Sequence, residues 1–316
     1  MRKILLASTA LVALGVSAAS ADISISGSAK WTYSSWSVTG ADAGASNDTF
    51  KTTNDLTVAS SFASDNGLTY GTSHSIDEAS SGDGGKMYVS GSFGEIRFGG
   101  DSAGDAYDTN AAVTDGELNK SGTLFGGAPT TGKSGKNGIS YFTPSVNGFS
   151  AGASVDDAGS DNTSNNDVTE MGLSYSQSVG EATVKIAYAT RDTSATTSGG
   201  TNGETATSLG ATVTMGDLSV TLAQNTQKDD ANTTDYSSTG VGVSYVLQDG
   251  LTLKAHTVSA EDDKTAGEKS DETAASLTYV VAPGLTANIA YTDYAHNTGS
   301  AKTTGSATTA YLKVAF

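Results

Sequence analysis

Two short stretches of this sequence carry the fixed residues of known chemical motifs. Residues 127–134, GAPTTGKS, match G-x-x-x-x-G-K-[ST], in which backbone N–H groups cradle phosphates and the lysine reaches the outer ones. Residues 148–152, GFSAG, match G-x-S-x-G, the turn that presents a nucleophilic serine, here Ser150. Three histidines, His74, His256 and His296, are the remaining candidates for general bases or metal ligands. Each motif requires a particular element around it. A phosphate loop leaves a strand and opens a helix whose N-terminus holds the anion; a nucleophile elbow joins a strand to a helix. Neither context is present. Gly135 and Gly138 follow the first motif and lead into an alternating stretch over 139–143, and Ser150 lies inside a strand-like alternation. The histidines lack metal-ligand spacing. Nucleotide, serine-hydrolase and zinc chemistry are set aside, the protein is not expected to be an enzyme, and no cofactor is expected. Lys133 and Lys136 survive from the first motif as cations.

The elements that position these residues are strands. From Asp22, Ile23, Ile25, Gly27, Ala29, Trp31 and Tyr33 fall on one face, with Ser24, Ser26, Ser28, Lys30 and Thr32 on the other. The same period of two recurs through Leu56–Val58, Met87–Val89, Met171–Leu173, Val184–Ile186, Leu218–Val220, Val241–Val243, Leu277–Tyr279 and Ile289–Tyr291. Such alternation marks strands with one apolar and one polar face. Short turns rich in Gly and Asn fall at 64–67, 93–95, 145–148, 178–181, 216–217, 248–250 and 282–284. Longer polar stretches lie near 34–48, 77–85, 100–136, 157–167, 192–203, 227–235, 260–270 and 295–305. Short and long connections alternate, which predicts sixteen antiparallel strands, an even number as a bacterial transmembrane barrel requires.

Composition sharpens this. Residues 1–21 read as a cleaved signal peptide: Arg2 and Lys3, an apolar run over 4–16, then Ala19, Ser20 and Ala21 in an A-x-A pattern. The mature barrel is expected over 22–316. A formal charge of −17 argues against nucleic-acid partners, and the absence of Cys excludes disulfides and thiolate metal sites. Only 36% of residues are hydrophobic, low for a chain of this length around a large dry core, yet 13 Tyr and 8 Phe are spread along it, unlike a disordered chain. A membrane barrel accounts for low hydrophobicity, for short turns at one rim and long loops at the other, and for aromatics near strand ends: Trp31, Tyr33, Phe62, Tyr70, Phe93, Phe98, Tyr141, Phe149, Tyr175, Tyr188 and Tyr291. A β-sandwich would not show the long–short asymmetry. A secreted structural solenoid would show a fixed repeat, which is absent.

Several segments carry a family likeness: YVSGSFGEIRFGGDSAGDAYD at 88–108, NGISYFTPSVNGFSAGASV at 137–155, and ATTAYLKVAF ending on Phe316. With the signal peptide and the sixteen alternating segments, the chain resembles the general diffusion porins of Gram-negative outer membranes, in their alphaproteobacterial form. The resemblance implies a homotrimer of barrels in the outer membrane, each with its third long loop folded into the pore. It also implies a terminal Phe316 read as an assembly signal.

The charges agree with a channel. Lys30, Lys86, Arg97, Lys185, Lys254 and Lys313 sit between apolar neighbours on the opposite parity, which spares the lipid face cations costing about 2–4 kcal/mol each at the midplane. A water-filled lumen accepts them. Arg97 and Arg191 are the only arginines after residue 21, so no strong arginine cluster is expected. The stretch 100–136 carries Asp101, Asp105, Asp108, Asp115 and Glu117 and follows a strand with Glu95 facing in. Folded inward, these acids would face Lys30, Lys86 and Arg97 and set a transverse field that disfavours apolar solutes. The expected function is passive diffusion of small hydrophilic solutes and ions; a solute-specific channel is the alternative. Acidic loops near 156–167 and at Asp229 and Asp230 offer oxygen ligands of the kind Ca²⁺ takes, bridging to lipopolysaccharide. Phe142 and Tyr311 break the pattern by falling on the lumen parity. Phe142 is expected beneath the inward loop, and the pattern assigns Tyr311 no role.

Overall fold

The computed structural model describes residues 21–40, 48–77, 85–99, 102–108, 113, 138–156, 167–194, 203–231, 233–299 and 301–316. Sixteen strands form one closed antiparallel barrel in which every strand pairs with its sequence neighbours and the first pairs with the last. They are β1 (Ala21–Gly40), β2 (Asp48–Ala63), β3 (Thr69–Asp77), β4 (Lys86–Gly91), β5 (Gly94–Phe98), β6 (Gly138–Phe142), β7 (Phe149–Asp156) and β8 (Val168–Val179). The second half comprises β9 (Ala182–Thr193), β10 (Glu204–Met215), β11 (Leu218–Asp229), β12 (Asp235–Gln248), β13 (Leu251–Asp262), β14 (Glu268–Ala282), β15 (Leu285–Thr298) and β16 (Lys302–Ala315). A helix, α1 (Ala103–Tyr107), follows β5.

Alternation becomes two faces because successive Cβ atoms point to opposite sides of a strand. Ile25, Leu222 and Tyr291 are outward and 61%, 53% and 51% exposed. Apolar side chains exposed on every wall of a closed sheet belong against lipid, not water. The inward positions carry Ser154, Glu170, Ser208, Asn225, His256, Glu272, Thr292 and Thr309, all buried within the lumen. A barrel interior lined this way cannot be a dry core.

The short turns bend where backbone freedom is supplied. Between β6 and β7, Asn147 and Gly148 have φ of 52° and 86°, and Val146 exchanges backbone hydrogen bonds with Phe149 at 2.8 and 2.9 Å. Two successive positive φ angles are what a tight hairpin requires, and Asn-Gly supplies them at least strain. Closure joins Ser28 to Ala315 in register, and Gly27 and Phe316 exchange backbone hydrogen bonds at 3.0 Å. The terminal residue is thus a rung of the seam. Its ring lies over Gly27, where a Cβ would sit 2.9 Å from Phe316 Cζ.

The expected loops near 34–48 and 295–305 are corrected. β1 continues to Gly40, and β15 ends at Thr298 only a few residues before β16 resumes at Lys302. Above the lipid an outward residue need not be apolar, so the two-residue alternation fades. The ladder does not, because Ser34–Thr309 and Thr39–Thr304 still pair and their hydroxyls hydrogen-bond at 3.3 and 2.8 Å. The wall is lowest from β4 to β6, where strands have five or six residues against eight to twenty elsewhere.

Candidate pore and its inward loop

The chain leaving β5 turns into the barrel. Ser102 caps α1, its hydroxyl accepting from the Asp105 N–H at 3.2 Å, and α1 lies against the lumen faces of β7 to β9. Glu170 on β8 holds it there. Its Oε2 accepts from the Gly104 N–H at 2.9 Å and from Ser154 Oγ at 3.0 Å, and Ser154 in turn accepts from the Ala103 N–H at 3.0 Å. Glu170 is 1% exposed, so this carboxylate sits where its hydrogen bonds are strongest and its isolation would be costly.

Room for α1 comes from missing side chains. A Cβ on Gly172 would stand 2.2 Å from Tyr107 Cδ2, and one on Gly152 would stand 3.0 Å from Tyr107 Cε2. Further on, Asp108 accepts from Ser208 Oγ on β10 at 3.3 Å. Val113 packs with Ala223 and Val258 and covers β12, where a Cβ on Gly242 would meet its carbonyl oxygen at 2.5 Å. The described part of the loop therefore follows the wall from β7 to β12.

Phe142 is beneath that loop, as expected. Its ring centroid is 6.4 Å from that of Tyr107, and the Arg97 guanidinium carbon stands over the Phe142 ring, 4.4 Å from its centroid. Arg97 also pairs with Glu95 on the same strand. Glu95 thus belongs to the β5 wall, not to the loop. Tyr311 gains a role: its ring faces Lys30 Nζ at 5.7 Å, a cation–π contact inside the lumen. Lys30 is the direct register partner of Lys313 across the seam. Lys185 and Lys254 are exposed to the lumen, while Lys86 and Lys313 are half-buried. Of the predicted loop acids, Asp105 is exposed and Asp108 half-buried. Asp101, Asp115, Glu117, Lys133, Lys136 and the whole of GAPTTGKS lie outside the described residues, as do positions 1–20.

Ser150 is the second residue of β7, in ladder register with β8, and shares a hydrogen bond of 2.8 Å with Ser174 Oγ there. It is on no strand-to-helix turn, so the elbow geometry is missing. Among the described residues no group of three His, Cys, Asp or Glu side chains could hold a metal ion.

Three sets of buried contacts escaped the sequence reading. Besides Glu170, His256 Nε2 and Glu272 Oε1 are 2.9 Å apart and both buried, and Arg191 pairs with Glu204, which also accepts from Gln227 Nε2 at 2.8 Å. A signal was available in the lumen-parity glycines at 152, 172, 240 and 242. Small residues recurring on a polar face mark where another part of the chain approaches.

A family model described as Gram-negative porin matches residues 7–302. The chain belongs to the Gram-negative porin family. No curated protein matches it. Among solved structures, an anion-selective porin from Comamonas acidovorans superposes with a TM-score of 0.72 at 16% identity, covering 94% of this chain and 100% of that one. The trimer form of OmpT from Vibrio cholerae gives 0.66 at 15% identity, with 92% and 99% covered. A mutant of the Rh. blastica porin gives 0.65 at 15%, with 93% and 100% covered. At these identities the likeness is one of fold. Family and barrel together make this porin an outer-membrane diffusion channel.

Proposed function

We propose that this porin is a general diffusion channel: a passive pore, not an enzyme, for small hydrophilic solutes and ions. The observation that carries this is the inward placement of Lys30, Lys86, Arg97, Lys185, Lys254 and Lys313 in a closed barrel whose outward faces are apolar. Charges in that number need water around them. The loop pinned to β7–β12 narrows the pore from one side, and the cations on β1, β4, β5 and β16 occupy the other. Asp105 and Asp108, with Asp101, Asp115 and Glu117, supply the negative side of a transverse field that orients water and dipolar solutes.

In the same reading, residues 1–21 are removed on export, Phe316 marks the chain for assembly, and the channel works as a homotrimer. The OmpT neighbour described in a trimer form supports that assembly. Acidic long loops hold Ca²⁺ against lipopolysaccharide, and any such site draws on loop residues beyond those described. Liposome swelling with sugars of graded size tests the central claim. Rates that fall smoothly with size support general diffusion, and one sugar far out of order favours a solute-specific channel. No swelling refutes both. Replacing Asp105 and Asp108 by Asn and finding conductance and ion preference unchanged would remove them from the constriction.

A further inference from the structure

Charges on the lumen face are sorted along the pore axis. Arg97, Lys185 and Lys254 each stand three positions beyond the turn-side end of their strands, Gly94, Ala182 and Leu251. Lys313 is two positions from the end of β16 at Ala315, and Lys30 is its register partner. Lys86 is two positions above Tyr88, the partner of Arg97. These strands are distributed around the whole circumference, so the six cations form a ring near the short-turn mouth. Asp22, Asp55 and Glu95 are the lumen-parity acids on its side among the described residues, and Asp65, Glu181, Asp217 and Asp249 stand in the short turns beyond it.

The lumen acids of the wall stand elsewhere. Glu170 is nine positions from the turn-side end of β8 at Val179, and Asp262 is eleven from Leu251 on β13. Glu204, Asp229 and Glu272 stand at similar distances along β10, β11 and β14. Strands rise about 3.3 Å per residue and tilt about 40°, so the acids lie roughly 15 Å or more above the ring. Lys51 and Arg191 are the cations on that side, and Arg191 is paired with Glu204.

We infer that this lumen is electrically bipolar, with an anion-selecting cation ring at the short-turn mouth and a cation-selecting long-loop half, so that its ionic current rectifies. The inference rests on the porin reading. With the long-loop side positive, cations enter through the acids and anions through the ring, and both accumulate between them. With the sign reversed, each ion meets its own charge first and the lumen is depleted. Lys185 and Lys254, which stand outside the transverse field, thereby join Lys30 and Lys313 in setting a second selectivity station at the short-turn mouth.

Single channels in planar bilayers test this. The chain has no cysteine, so Asp217→Cys in the β10–β11 turn, attacked by a thiol reagent from one chamber, reports orientation. In about 0.1 M KCl, conductance with the long-loop side positive should exceed the reverse by about 1.5-fold or more. In about 1 M KCl, where the Debye length shrinks to about 3 Å, the two should converge. Joint Lys→Gln substitution at positions 30, 185, 254 and 313 should abolish the asymmetry, and joint Lys→Arg substitution should retain it. Equal slopes in the wild type, or asymmetry surviving the Gln variant, would overturn the inference and leave the channel reading intact. A protein that forms no channel at all sinks both.

Discussion

Glu170→Ala should release the inward loop while leaving the barrel closed. The wild-type carboxylate accepts one backbone N–H and one hydroxyl, from Gly104 at 2.9 Å and Ser154 at 3.0 Å. Ser154 is itself on the β7 wall, so only the bond from Gly104 joins α1 to Glu170. A hydrogen bond to a charged group is worth about 1.5–3 kcal/mol net, and its loss removes that much from the docking of α1. At about 1.4 kcal/mol per factor of ten, the opening equilibrium should rise by roughly 10- to 100-fold. Hydrogen exchange on a peptide covering residues 102–108 in detergent reads this directly, since the Gly104 amide is itself a bonded donor. Glu170→Gln keeps a neutral acceptor and should fall between the two, at roughly 3-fold. β8 pairs with both neighbours through its backbone, so the temperature at which the barrel unfolds should move little. Unchanged exchange over 102–108 in the Ala variant, with an intact barrel, would refute the assignment of Glu170 as the anchor.

Three other outcomes follow from the same contacts. Gly172→Ala places a methyl where Tyr107 now stands and should raise open-channel conductance by displacing the loop; combining it with Tyr107→Ala should restore the 102–108 protection lost in the single variant. Gly27→Val should collide with the Phe316 ring and with Asp55 O at 2.6 Å, lowering the barrel's unfolding temperature in detergent electrophoresis, whereas Gly67→Ala, with open space around it and only the backbone strain of a φ of 81° to bear, should lower it less. His256→Ala removes a partner of a carboxylate that is 1% exposed and should destabilise the barrel by about 1–3 kcal/mol, read as an earlier denaturant midpoint; adding Glu272→Gln should recover part of that loss.

The sequence by itself determined the strand number, the hairpin positions, and which side chains face lipid and which face water. Those are local properties: a strand's period is two residues, and a face can be read from neighbours at i+2, as in Val184, Lys185 and Ile186. Where strands continue above the lipid, at residues 34–40 and 302–305, the signal vanished because only the ladder remains to hold them. The loop's path was decided by tertiary structure alone. Glu170 and Gly104 are 66 positions apart, and Tyr107 meets Gly152 and Gly172 only because the barrel closes around them. The same holds for Tyr311, an unexplained aromatic on a polar face until closure of β1 on β16 set it beside Lys30. The axial sorting of charge is tertiary too, since the height of a residue depends on strand tilt and register around the whole ring, which no single strand encodes.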